Sequence, residues 1–275
     1  MLEKFRKSTA SSSPNTQTPA YFKMDQYVEA VCYTAAPGQT QWYPPLMVSA
    51  GSIAQRAVCA ERVQEAIALL DRLSRDDYSE YLLKYYREGA RRFNAGWRYV
   101  DIVTVLLALA EQLQPKSYLE IGVRRGRSVS AVASKAPACD LYMFDMWVSN
   151  YAGMENPGPE LVSQELDKFS HSGERIFTDG NSHQTLKPFF ETHQDLAFDL
   201  ITVDGDHSYD GAVEDLCYVL PHLKIGGAIV FDDVCHPKHR YLEDVWKRLI
   251  VEDSRFTAWT DADIGYGVGF ALRKW

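Results

Sequence analysis

The sequence lacks the features that mark a membrane protein, a disulfide scaffold or a general nucleic-acid binder. Its strongest apolar run, "WRYVDIVTVLLALAEQL", is interrupted by Asp101 and is shorter than the roughly 20 residues a spanning helix needs. Met1 to Ala20 combines early Lys and Arg with Ser, Thr and Pro and has no apolar middle section, so a flexible tail is expected there rather than a secretory signal. The five cysteines are odd in number and show neither a CxxC pair nor a zinc spacing, which excludes a complete disulfide framework and leaves structural thiols. A net charge of -8 argues against broad attraction to nucleic-acid phosphates. The resulting expectation is a cytoplasmic protein with neither membrane nor nucleic acid as a partner.

What is present is enough for a large core. With 275 residues, 46% hydrophobic and 24% charged, one α/β domain with an N-terminal extension fits better than two equal domains. Residues 21–113 read as an extension that begins with an irregular arm over 21–54, interrupted by Pro37 and the Pro44–Pro45 pair, and continues as helices. Amphipathic helices are expected over 55–72 and 77–88, and a more deeply buried one over 97–113. This extension would serve as a substrate cap or as the contact of a homo-oligomer. From residue 114 to 275 apolar strand patterns alternate with helical ones: "YLEIGV", "DLYMFDMW", "RIFTDG", "FDLITVDG" and "GAIVFDD", then a helix over 240–251 and a last strand in "YGVGFALRKW". That alternation predicts a twisted, mostly parallel sheet covered by helices.

The polar residues fall where such a sheet binds ligands, at the carboxyl ends of its strands. In "LEIGVRRGRSVSAV", Gly122 and Gly126 let the backbone approach a ligand, and the following helix offers free amides at its start. Residue 124 is Arg, so the GxGxxG dinucleotide fingerprint is incomplete. Glu120 precedes the first Gly, Asp145 ends the second strand, and Asp179 and Asn181 stand at the third exit. Each acid either reads a nucleoside or caps a turn. The fourth exit, "DGDHSYDG", carries Asp204, Asp206 and His207, with Ser208 or Asp210 available to cap the helix expected from Ala212. The fifth carries Asp232 and Asp233. Three carboxylates from two neighbouring loops suit Mg2+, or Mn2+, better than zinc. His207 is the first choice of general base, with Asp206 as competitor or as its orienting partner.

The combination of "YLEIGVRRGRS", "MFDMW", "TDGNSHQTL", "ITVDGDHSYDGAVEDL" and "GGAIVFDD" resembles the class I S-adenosylmethionine-dependent methyltransferases. It is most similar to the metal-dependent sugar O-methyltransferases of the macrocin and mycinamicin type. The resemblance covers about Ser117 to Lys274 and implies a Rossmann-like sheet with a final antiparallel strand. It implies that Glu120, Gly122, Gly126 and Ser128 line the methionine side of the cofactor. Asp145 would hold the ribose, while Asp179, Asn181 and Ser182 would lie on the adenine side. Asp204, Asp232 and Asp233 would bind the metal, and Asp206 and His207 would fall in the segment supplying the base. The implied activity is methyl transfer to a hydroxyl of a small-molecule diol, such as a sugar-bearing natural product. A catechol-like acceptor, an NAD(P)-dependent oxidoreductase and a noncatalytic nucleoside-binding protein are the competing readings.

Overall fold

The computed structural model describes residues 46–150 and 155–275. The expected tail over 1–20 and the arm up to residue 45 lie outside the described residues. Among the described residues, seven strands form one sheet in the order β3-β2-β1-β4-β5-β7-β6. They are β1 (Ser117–Ile121), β2 (Asp140–Asp145), β3 (Arg175–Asp179), β4 (Phe198–Val203), β5 (Leu223–Asp232), β6 (Phe256–Asp261) and β7 (Val268–Arg273). The first five are mutually parallel, and β7 runs antiparallel between β5 and β6. This is the expected Rossmann-like sheet, with its antiparallel end. The order in which strands are added reverses between β1 and β4, so the outgoing loops diverge there and open a crevice.

Helices cover both faces. On one face lie α1 (Ala50–Ala57), α2 (Ala60–Arg72), α3 (Asp77–Phe93), α4 (Ile102–Leu113), α5 (Arg127–Lys135) and α6 (Pro159–Asp167). On the other lie α7 (Ser182–Thr192), α8 (Tyr209–Val219) and α9 (Tyr241–Trp246), which continues as one wider turn to Val251. Helix α4 is buried almost all round, so its unbroken apolar run is a core helix rather than a membrane span. Among the described residues, no helix is long and apolar enough to cross a membrane.

Several boundaries differ from the expected ones for local reasons. The helix expected over 55–72 is two helices, because Cys59 takes an extended conformation and starts a new one. Helix α1 begins at Ala50, inside the stretch expected to be irregular, where the Ser49 side chain accepts a hydrogen bond from the Ser52 amide. Residues 97–101 are not helical. Asp101 caps α4 instead, in a reciprocal capping box with Thr104.

Candidate active site

The exits of the parallel strands line up side by side, as the sequence leads one to expect. Asp145 and Asp179 are direct partners across β2 and β3. Ile121 pairs with Val203 and Val203 with Phe231, so Gly122, Asp204 and Asp232 are the next residues along three adjacent strands. All three neighbouring loops therefore meet at one edge.

Gly122 is where two of them touch. Its φ is +89°, and a Cβ there would come within 1.9 Å of the Asp204 carbonyl oxygen. Only glycine permits both the conformation and the approach. Gly126, with φ +77°, starts α5 against Val162. Between them the absent middle glycine is replaced by strain: Arg124 adopts φ +50°, and its amide donates to Asp145 Oδ2 at 2.7 Å. The turn is thus built without the fingerprint residue.

Asp145 is well supplied with donors. Its other oxygen accepts from the Trp147 amide at 2.7 Å and from Asn156 Nδ2 at 3.0 Å. Glu120 is fully buried, takes hydrogen bonds from Ser128 and, at 2.8 Å, from the Tyr118 hydroxyl, and burial pushes its carboxyl up to about 8. Asn181 caps α7 by accepting from the His183 amide, and Ser182 is the buried first residue of that helix. Asp179 is exposed at the end of β3.

The other half of the site is a crowd of carboxylates around one imidazole. His207 Nε2 lies 3.4 Å from Asp204 Oδ1, and its Nδ1 lies 3.7 Å from Asp233 Oδ2. The contact with Asp204, opposed by burial, raises His207 above its ordinary value, so the surrounding acids favour imidazolium. Burial, then the charges of Asp204 and Asp233, lift Asp232 well above the carboxylate range, and Asp233 is pushed up to about 7 by burial and then by Asp204. Asp233 also holds a left-handed φ of +57°, an unfavourable conformation of the kind that collects at functional sites.

Asp206 points elsewhere. Its Oδ1 accepts from the Ser208 amide at 2.8 Å, and its Oδ2 packs so tightly on α8 that a Cβ at Gly211 would come within 2.2 Å of it. Ser208 is the cap of α8, accepting from the Gly211 amide, which decides between the two capping candidates.

The acids leave an oxygen-only donor set from two adjacent loops, with the chemistry of a hard divalent ion. The fit is to that chemistry, not to a closed cage: among the described residues, no group of three or more His, Cys, Asp or Glu is arranged to hold a metal ion. Burial is the larger cause of the raised Asp232 and Asp233, and the acid charges that add to it are what a bound cation would relieve.

A cleft lies over this edge. Gly122, Val123, Arg124, Arg127, Ser128 and Asp204 form its floor, and Leu70, Leu73, Asp76, Tyr78 and Ser79 from α2 and α3 form its roof. Asp76 joins the two by pairing with Arg124 at 3.2 Å, while Arg124 and Arg127 lie over the Tyr78 ring. Asp76, Tyr78 and Arg127 went unmarked in the sequence reading. Asp76 and Ser79 form a capping box visible as "DDYS", but nothing in that motif says which strand exit it faces.

Residues 119–234 match a family model described as a methyltransferase domain. Every candidate residue at the five strand exits falls inside it. No curated protein sequence matches the chain. Among solved structures, the fold is similar to that of a putative caffeoyl-CoA O-methyltransferase from Staphylococcus aureus, at 17% identity and a TM-score of 0.50, covering 72% of this chain and 100% of that one. It is also similar to the S-adenosylhomocysteine-bound methyltransferase PaMTH1 of Podospora anserina, at 16% identity and 0.50, covering 82% and 93%. The calicheamicin methyltransferase CalS11 aligns at 18% identity and 0.50, covering 87% and 99%.

Proposed function

We propose that the chain is an S-adenosylmethionine-dependent O-methyltransferase that acts on a hydroxyl of a small-molecule diol with the help of a divalent metal ion. The observation that carries this reading is the convergence of Asp204, Asp233 and His207, with Asp232 adjacent, beside the glycine loop of the methyltransferase domain. The names of the structural neighbours, which include caffeoyl-CoA and calicheamicin methyltransferases, are compatible with either a catechol-like or a natural-product acceptor. The resemblance to macrocin-type enzymes favours a sugar-bearing acceptor.

The roles follow from position. The backbone at Gly122 and Gly126, with Ser128, would take the methionine end of the cofactor, and Glu120 beneath them holds Ser128 in place. Asp145 would receive the ribose hydroxyls, and Asp179, Asn181 and Ser182 would border the adenine. Asp204, Asp232 and Asp233 would hold the metal, Mg2+ or Mn2+. When bound, that ion would orient the acceptor's vicinal oxygens, stabilise the alkoxide charge and offset the field that favours the protonated form of His207. His207 would take the acceptor proton. Asp206, fastened to the start of α8, would hold the loop that carries His207 rather than reach the substrate.

The test is methyl transfer from S-adenosylmethionine to a panel of sugar and catechol diols, with Mg2+ or with EDTA. Transfer that is lost in EDTA and restored by Mg2+ supports the reading. Undiminished transfer in EDTA would remove the metal from it, and hydride exchange with NAD(P) in place of methyl transfer would replace it with the oxidoreductase reading.

A further inference from the structure

On the face of the sheet opposite the cleft, beneath the loop that carries Asp204 and His207, lies a second group of ionisable side chains. Asp215 of α8 is fully buried, and neither of its carboxylate oxygens has a hydrogen-bond partner. An unpartnered buried carboxylate is costly and unusual. His183, the second residue of α7, faces it: its Nε2 is 3.6 Å from Asp215 Oδ1 and is itself buried without a partner. The same Nε2 is 3.8 Å from Asp206 Oδ2, and the other ring nitrogen is 3.8 Å from Glu214. The loop backbone rests directly on Asp215, since a Cβ at Gly205 would come within 3.0 Å of Asp215 Oδ2 and 2.7 Å of Ile121 Cγ2.

We propose that His183 and Asp215 form a buried clamp that sets the position of the Asp204–His207 loop, making His183 a positioning residue for methyl transfer. The inference rests on the proposed transferase reading for its catalytic consequence, but its structural part stands apart from it. One imidazole nitrogen faces two carboxylates from different elements, one on the loop and one on α8. His183 follows Asn181 and Ser182, so a ligand bound at the exit of β3 presses on the same short stretch. The 3.6 and 3.8 Å separations exceed a hydrogen bond, so the nitrogen stands between the two carboxylates and is committed to neither. Burial lifts Asp215 to about 6, with Ser182 and then His183, the first two residues of α7, opposing it.

The experiment compares the intact wild-type chain with His183→Ala, His183→Gln and Asp215→Asn by amide hydrogen exchange and by kinetics. Exchange in peptides spanning 204–211 should rise in His183→Ala and Asp215→Asn, while the peptides of β1, β4 and β5 keep their protection. In His183→Gln, whose amide nitrogen replaces Nε2, exchange should return toward wild type. With an active acceptor, kcat should fall about tenfold or more in His183→Ala with little change in the KM for S-adenosylmethionine, and recover in His183→Gln. Unchanged exchange at 204–211, or loss of protection throughout the domain, would overturn the clamp whether or not the wild type transfers methyl groups. A rise in the cofactor KM alone would also overturn it, making His183 a nucleoside contact. If His183→Ala does not fold, Asp215→Asn carries the same exchange criterion. An inactive wild type would count against the transferase reading and leave the exchange result to decide the clamp.

Discussion

The two halves of the site solve the problem of buried charge in opposite ways. At the exits of β1 and β2 the carboxylates are satisfied by the protein itself. Asp145 accepts from two backbone amides and Asn156, and Glu120 from two hydroxyls. At the exits of β4 and β5 the carboxylates face one another, and burial, then the neighbouring acid charges, raise Asp232 and Asp233. The first half is preorganised; the second is electrostatically incomplete and suited to an external cation. The comparison teaches that similar Asp-rich strand ends have different uses, and that the difference lies in their donors.

Breaking the contact between the halves should have the largest effect. Gly122→Ala places a Cβ 1.9 Å from the Asp204 carbonyl at φ +89°, so it should cost at least about 3 kcal/mol, and thermal unfolding should shift down by about 8 °C or more. Asp145→Ala should be milder. It strands two backbone amides at the edge of a partly exposed site and should cost about 2 kcal/mol by denaturant unfolding, with a higher KM for S-adenosylmethionine.

The donor-rich half also carries a pH signature. Glu120 is raised from 4.5 to about 8 in the folded protein, so between those values the native state holds a proton that the unfolded chain has released. Stability should therefore fall as pH rises through that window. Melting curves from pH 5 to 9 should show a steeper loss in wild type than in Glu120→Gln. The smallest effect is expected at Arg124→Gly, where relief of the φ +50° conformation offsets the lost contacts with Asp76 and Tyr78. Its stability should stay within about 1 kcal/mol of wild type in chemical denaturation.

The parallel strands were legible because their apolar runs are short, branched and bounded by polar exits, and these exits named the positions of the candidate site. Strand β6 was not anticipated: Phe256–Asp261 is an edge strand with mostly half-exposed residues and no branched apolar run. Helix α7 was masked by Pro188 inside it. The roof of the cleft was illegible for a different reason. Its contacts join Asp76 to Arg124 across 48 residues of chain, and no periodic pattern reports a contact between distant loops. The division of labour between Asp206 and His207 also depended on geometry, because two adjacent polar residues of a turn point in different directions. His207, the first choice of base, meets acids that favour its protonated form.

The central claim is that the carboxylates at the exits of β4 and β5 hold a divalent ion. The most direct measurement is calorimetric titration of Mg2+ or Mn2+ into the wild-type chain and into Asp232→Asn, each with S-adenosylhomocysteine present. The account predicts one ion per wild-type chain and loss of that site in Asp232→Asn. Equal stoichiometry and affinity in the two proteins would contradict it.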